Sequence, residues 1–165
     1  MKKQKGFSLI ELLIVVAIIL IIAAIAIPNL LRSKMAANEA SAVGSVRTIT
    51  TGQVAYSTTY GTGYTSLANL ATPVAGCPTA SAATACLIDS NLASGTKSGY
   101  NFVSTPSATG TTAAPAVAFN TSAVPTALGQ SGQNSFCSDE SGVVRRDTAG
   151  AVHAACSTSS LPPLQ

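Results

Sequence analysis

The chain has 165 residues, with nine Lys and Arg against six Asp and Glu, four Cys and no Trp. That length suits one membrane-crossing helix and one small domain. Lys2, Lys3 and Lys5 lie in the first six residues, so the rest carries six basic and six acidic side chains and lacks the broad basic surface of a nucleic-acid binder.

The first element is the apolar run from Phe7 to Ile27, closed by Pro28 and interrupted only by Glu11. About 20 apolar residues match the hydrocarbon thickness of a bilayer. An ionisable group inside such a run is costly, so Glu11 calls for a partner and a function. A secretory signal has its cleavage site after the apolar core. Here the candidate site, Gly6-Phe7, lies before it, and the helix would stay with the mature chain. The leader lysines put the N-terminus in the cytoplasm and everything after Pro28 outside it; Arg32 and Lys34 at the far end are outweighed.

The stretch Lys3-Gln-Lys-Gly6, Phe7-Ser-Leu-Ile-Glu11-Leu-Leu-Ile-Val-Val-Ala-Ile18, with Pro28 closing the run, resembles the type IV prepilin family of pilins, pseudopilins and related filament subunits. The resemblance implies removal of residues 1–6 by a membrane aspartyl peptidase and N-methylation of Phe7. It also implies burial of the 7–27 helix in a filament core, and pairing of Glu11 with the Phe7 amine of a neighbouring subunit. Opposite charges in a poorly solvated site stabilise each other. Four residues is about one helical turn, so a pairing of Glu11 within its own chain stays open. The implied partners are identical or related pilin subunits, the prepilin peptidase and the inner-membrane assembly machinery. The implied location is a single-pass inner-membrane precursor, then an extracellular or periplasmic filament.

Beyond Pro28 the helix continues to about Thr51, bent or kinked at Pro28. Leu31, Met35, Ala42, Val46 and Ile49 recur on one face, and Glu39, Arg47 and Gln53 fill polar positions. Residues 28–52 are this amphipathic half, weakened by Gly44 and Gly52. Residues 53–99 read as a long variable loop with short helices at Thr65–Leu70 and Leu87–Leu92. Tyr56, Tyr60 and Tyr64 would share a face only in a helix that continues, which Gly61 and Gly63 oppose; they read as loop anchors.

Residues 100–165 carry strand signals at Tyr100–Ser104, Ala116–Asn120, Asn134–Cys137 and Val143–Arg146. The last two flank the turn Asp139-Glu-Ser-Gly142. The expected fold is α+β: one long N-terminal helix packed on an antiparallel sheet of about four strands. The run from Tyr100 to Arg145 also resembles, more loosely, the C-terminal domain of pilin-like proteins.

Cys77, Cys86, Cys137 and Cys156 form an even set in an exported domain, where disulfides are expected. Of three connectivities, Cys77–Cys86 with Cys137–Cys156 closes two local loops, the second pinning the C-terminal tail to a strand and contributing roughly 3 kcal/mol. No HExxH, P-loop, GxSxG or GxGxxG occurs, and His153 is the single histidine. No enzyme, metal site or cofactor is expected. Asp139, Glu140 and Asp147 read as turn charges, without the ligand spacing of a calcium loop. Arg145-Arg146 beside those acids is a weak phosphate site. A pseudopilin of a type II secretion system shares the N-terminal pattern and is the alternative to a pilin.

Overall fold

The computed structural model describes residues 7–73, 76–77, 79–151, 156 and 161–164. Gly6, the leader lysines and His153 lie outside the described residues. By internal contacts the chain divides into two units, Met1–Lys34 and Met35–Gln165.

The helix α1 spans Leu9–Tyr60 and includes Pro28. Proline has no N–H to give to the carbonyl four residues back, so the hydrogen-bond ladder lacks one rung there. In the first unit the apolar side chains have no neighbours to cover them: Leu9, Leu20 and Ile25 are all exposed. In the second unit one face of α1 is buried through Ala42, Ser45, Val46, Ile49, Thr50, Gly52, Gln53 and Tyr56. Leu31, expected on that face, is exposed, and Met35 is half-buried. The packed stripe therefore starts later than the periodicity suggests.

The helix also outlasts the expected end near Thr51. Gly52 reads as a weak point, yet it is where a loop comes closest. A Cβ there would lie 3.3 Å from Ile88 Cγ2, with Leu70 and Leu87 next to it. The glycine serves packing, and the helix runs on to Gly61, whose φ of 66° ends it. Tyr56 and Tyr60 stack with centroids 4.7 Å apart, while Tyr64, past the break, packs on Phe119 at 4.6 Å. The three tyrosines form no ladder.

A short 3-10 turn (Leu67–Leu70) and a one-turn helix α2 (Ser90–Ala93) follow. Asp89 caps α2 by accepting the Leu92 N–H at 3.0 Å. That bond, and then the nearby Lys97 ammonium, hold its carboxyl below the usual range against the raising effect of burial.

Among the described residues five antiparallel strands follow: β1 (Thr96–Lys97), β2 (Tyr100–Pro106), β3 (Phe119–Pro125), β4 (Ser135–Asp139) and β5 (Arg145–Asp147). They pair in sequence order. The expected strand at Ala116–Asn120 is displaced. Ala116 instead bridges Gly63, Val117 is exposed, and β3 begins only at Phe119. The reason lies in the polar residues of β3: Thr121 faces the helix beside Ser104 on β2, a position that alternation would assign to an apolar residue. The core joins Val46, Ile49 and Tyr56 of α1 to Tyr100 and Phe102 of β2, Ala123 of β3 and Phe136 of β4. Disulfides join Cys77 to Cys86 and Cys137 to Cys156.

Candidate functional site

Phe7 and Ser8 lead into α1, and Glu11 lies in its first turn. Ser8 precedes the first helical residue, Leu9, and Glu11 is three residues on. Glu11 Oε2 accepts the Ser8 backbone N–H at 2.9 Å. Ser-x-x-Glu is a capping-box arrangement, in which the carboxylate satisfies an amide that the helix leaves orphaned. The negative charge also suits the positive end of the helix dipole. Within one chain the carboxylate thus has a partner, and it is a backbone amide one turn back. Oε2 supplies that bond; a carboxylate has further acceptor capacity on both oxygens. Phe7 is 87% exposed.

The helix that carries these residues is long and apolar enough to cross a membrane by length and composition, and none of its most apolar stretch is buried. All of Leu12, Leu13, Ile14, Ile18, Ile19 and Ile22 are exposed. So much apolar surface is a docking surface or a lipid surface, because water penalises it at about 25 cal/mol per Å².

The second unit holds its face of α1 to the sheet through two polar clasps that sequence reasoning misses. Gln53 is completely buried. Its Oε1 accepts the Thr65 N–H at 2.9 Å, and its Nε2 donates to the Thr65 carbonyl at 2.5 Å and to Ser104 Oγ at 2.9 Å. Ser104 and Thr121 hydroxyls bond in turn at 2.9 Å. Glu39 accepts the backbone N–H of Gln133 at 2.8 Å and of Asn134 at 3.1 Å, and the Asn134 side-chain amide at 2.8 Å. Asn38 donates to the Ser131 carbonyl at 2.8 Å. Tyr100, also fully buried, donates its phenol to the Asn134 carbonyl at 2.8 Å and lies against Gly132, where any side chain would collide with its ring. Burial, and then the Glu39 charge, push that phenol far above its ordinary value.

The acidic turn is occupied locally. Asp139 Oδ1 accepts the Ser141 N–H at 3.0 Å and its hydroxyl at 2.5 Å. Asp147 accepts the Ala149 and Ala151 N–H groups at 2.8 and 3.3 Å. Among the described residues no three metal-ligating side chains converge. Arg145 Nη1 donates to the Leu161 carbonyl at 3.1 Å, so that guanidinium serves the tail.

Residues 1–27 match the family described as "Prokaryotic N-terminal methylation motif". Over 39 residues the chain is 62% identical to the "Type IV wide pilus major component PilA4" of Thermus thermophilus, covering 24% of this chain. The chain spans 30% of that relative's length in the match. No solved structure matches the chain. Each match covers less than a third of the chain, and over that share the chain is similar to type IV pilins.

Proposed function

We propose that the chain is a structural subunit of a type IV pilus-like filament that polymerises through its N-terminal helix. The carrying observation is the apolar stretch of α1, none of it buried, which has the capping carboxylate Glu11 at its start and lies within the methylation-motif match at residues 1–27. Cleavage after Gly6 would give Phe7 a free amine, the substrate for methylation. That amine and Glu11 would then sit in a poorly solvated core, where each stabilises the other across neighbouring subunits and sets their axial register. Glu11 need not abandon Ser8 to do so, since one carboxylate accepts from several donors. Pro28, with its missing rung, is the point where the helix would yield on assembly.

In this reading the precursor is held in the inner membrane, N-terminus inward, and handed by the peptidase to the assembly machinery. Adhesion, motility or DNA uptake would belong to the assembled filament. A pseudopilin of a type II secretion system shares the N-terminal features. The long loop region and the Cys137–Cys156 disulfide lean toward a pilin. The test is deletion and complementation with electron microscopy. Loss of surface filaments, restored by the wild-type chain, supports a pilin. Intact surface filaments together with failure to secrete exported proteins favour the pseudopilin.

A further inference from the structure

The end of the chain returns to the sheet. Residues 161–164 lie against the outer edge of β5: Arg146 N–H donates to the Pro162 carbonyl at 3.2 Å, and Leu164 N–H donates to the Val144 carbonyl at 2.9 Å. Arg145 and Pro163 form an antiparallel bridge, and Leu164 packs against the hydrophobic core. The segment acts as an added strand. Without it, the edge of β5 would present an unpaired donor and an unpaired acceptor, which is a template for another extended chain.

The tail itself is a poor template for a further strand. The backbone of Leu161 and Pro163 faces away from β5, and Pro163 carries no N–H, so one of those two outward donors is missing. The sequence Leu-Pro-Pro-Leu therefore covers one edge and presents a weaker one. Four residues of pairing are too few to hold alone. Cys156, bonded to Cys137 on β4 and anchored by its own N–H to Asn120 Oδ1 at 3.1 Å, holds the chain close to them. With the bond closed the four residues 157–160 tether Leu161 to that anchor, and with it open the tether is the thirteen residues 148–160 from β5, so the disulfide raises the effective concentration of the segment at β5.

We propose that residues 161–164 are a removable edge strand, that Cys137–Cys156 is its latch, and that the β5 edge beneath accepts the same segment from a second copy of this chain when the latch is open. A dithiol opens it: the Sγ–Sγ bond breaks, two electrons and two protons reduce Cys137 and Cys156 to thiols, and the dithiol becomes its own disulfide. A newly exported chain whose Cys137 and Cys156 are still thiols has the same open edge. Closing the disulfide removes a route to wrong pairing before copies meet through α1.

The test uses the full chain in detergent micelles, with amide exchange and a fluorescent peptide of residues 159–165. Reduction is expected to lower the protection of the Arg146 and Leu164 amides roughly tenfold or more, while the amides of β2 and β3 keep theirs. The peptide should bind the reduced chain, and also a Leu164→Asp chain with its disulfide intact, but not the oxidised wild type. A peptide carrying Leu164→Asp should bind none of them. Unchanged Arg146 protection after reduction would show that the tail stays docked without a latch and overturn the proposal. So would failure of the peptide to bind Leu164→Asp chains whose β2 and β3 amides remain protected, because the edge would then be open and refuse the segment.

Discussion

Gln53 on α1 and Thr65 on the following loop exchange two hydrogen bonds, amide to backbone in both directions, inside a site closed to water. The side chain imitates one rung of a β-ladder. It fixes where the loop leaves the helix and, through Ser104, where the helix lies along β2. Gln53→Leu would leave the Thr65 N–H and C=O buried without partners. The expected cost is about 2–4 kcal/mol, since orphaned buried groups bear their full desolvation penalty. Urea unfolding of the disulfide-intact protein measures it; a change under 1 kcal/mol, set against that same penalty, would mean that the network does not hold the register.

Tyr100 gives a pH dependence with a definite sign. Its phenol is buried and faces Glu39, and its pKa is raised in the folded chain above the ordinary value of about 10. The unfolded chain ionises first. Stability from this group is present in full below about pH 10 and falls as pH rises from there toward the folded value. Tyr100→Phe should flatten that fall and cost about 1 kcal/mol at neutral pH through the lost bond to the Asn134 carbonyl. Unfolding midpoints followed across the alkaline range read both effects, and parallel curves for the two proteins would rule out Tyr100 as the source.

Those two residues also show where sequence reading stops. The apolar run, the position of Glu11, the hairpin around Asp139–Gly142 and the α+β class are local patterns, and they were legible. The strand at β3 was misplaced because its buried face carries Thr121, whose partners Ser104 and Gln53 lie far off in sequence. Glu39 looked like a solvated helix position, but its partners at Gln133 and Asn134 are 94 and 95 residues away. Gly52 reads in sequence only as a weak point of the helix, because its reason, Ile88, belongs to a distant loop. β1, with two residues, is too short to carry a periodic signal. At the candidate site one signal was available and unread: Ser8-Leu-Ile-Glu11 is a capping-box pattern.

Substitution separates the capping role of Glu11 from its proposed pairing role. Glu11→Leu should leave membrane insertion intact and, if Glu11 pairs with the neighbour's Phe7 amine, reduce filament yield sharply, because that amine would lose its counter-charge in a low-dielectric site. Glu11→Gln keeps the bond to the Ser8 amide and loses the charge. If the charge sets the register, Glu11→Gln should fail nearly as badly as Glu11→Leu. If capping is what matters, Glu11→Gln should assemble normally. Immunoblots of sheared filaments against membrane fractions distinguish the cases.

On the proposed processing after Gly6, Gly6→Val should block removal of the leader, because the added side chain would have to fit beside the cut. The chain should accumulate in the membrane with Lys2, Lys3 and Lys5 still attached. Finding it trimmed at the normal position would count against this processing route.

The central claim is that this chain, cut and methylated at Phe7, builds a surface filament. Intact mass spectrometry of filaments sheared from cells tests it most directly. The account predicts a dominant species that begins at Phe7 with one added methyl group and weighs four hydrogens less than its reduced form, from two disulfides. A chain that is processed but confined to the membrane fraction, or one in filaments that still begins at Met1, would contradict it.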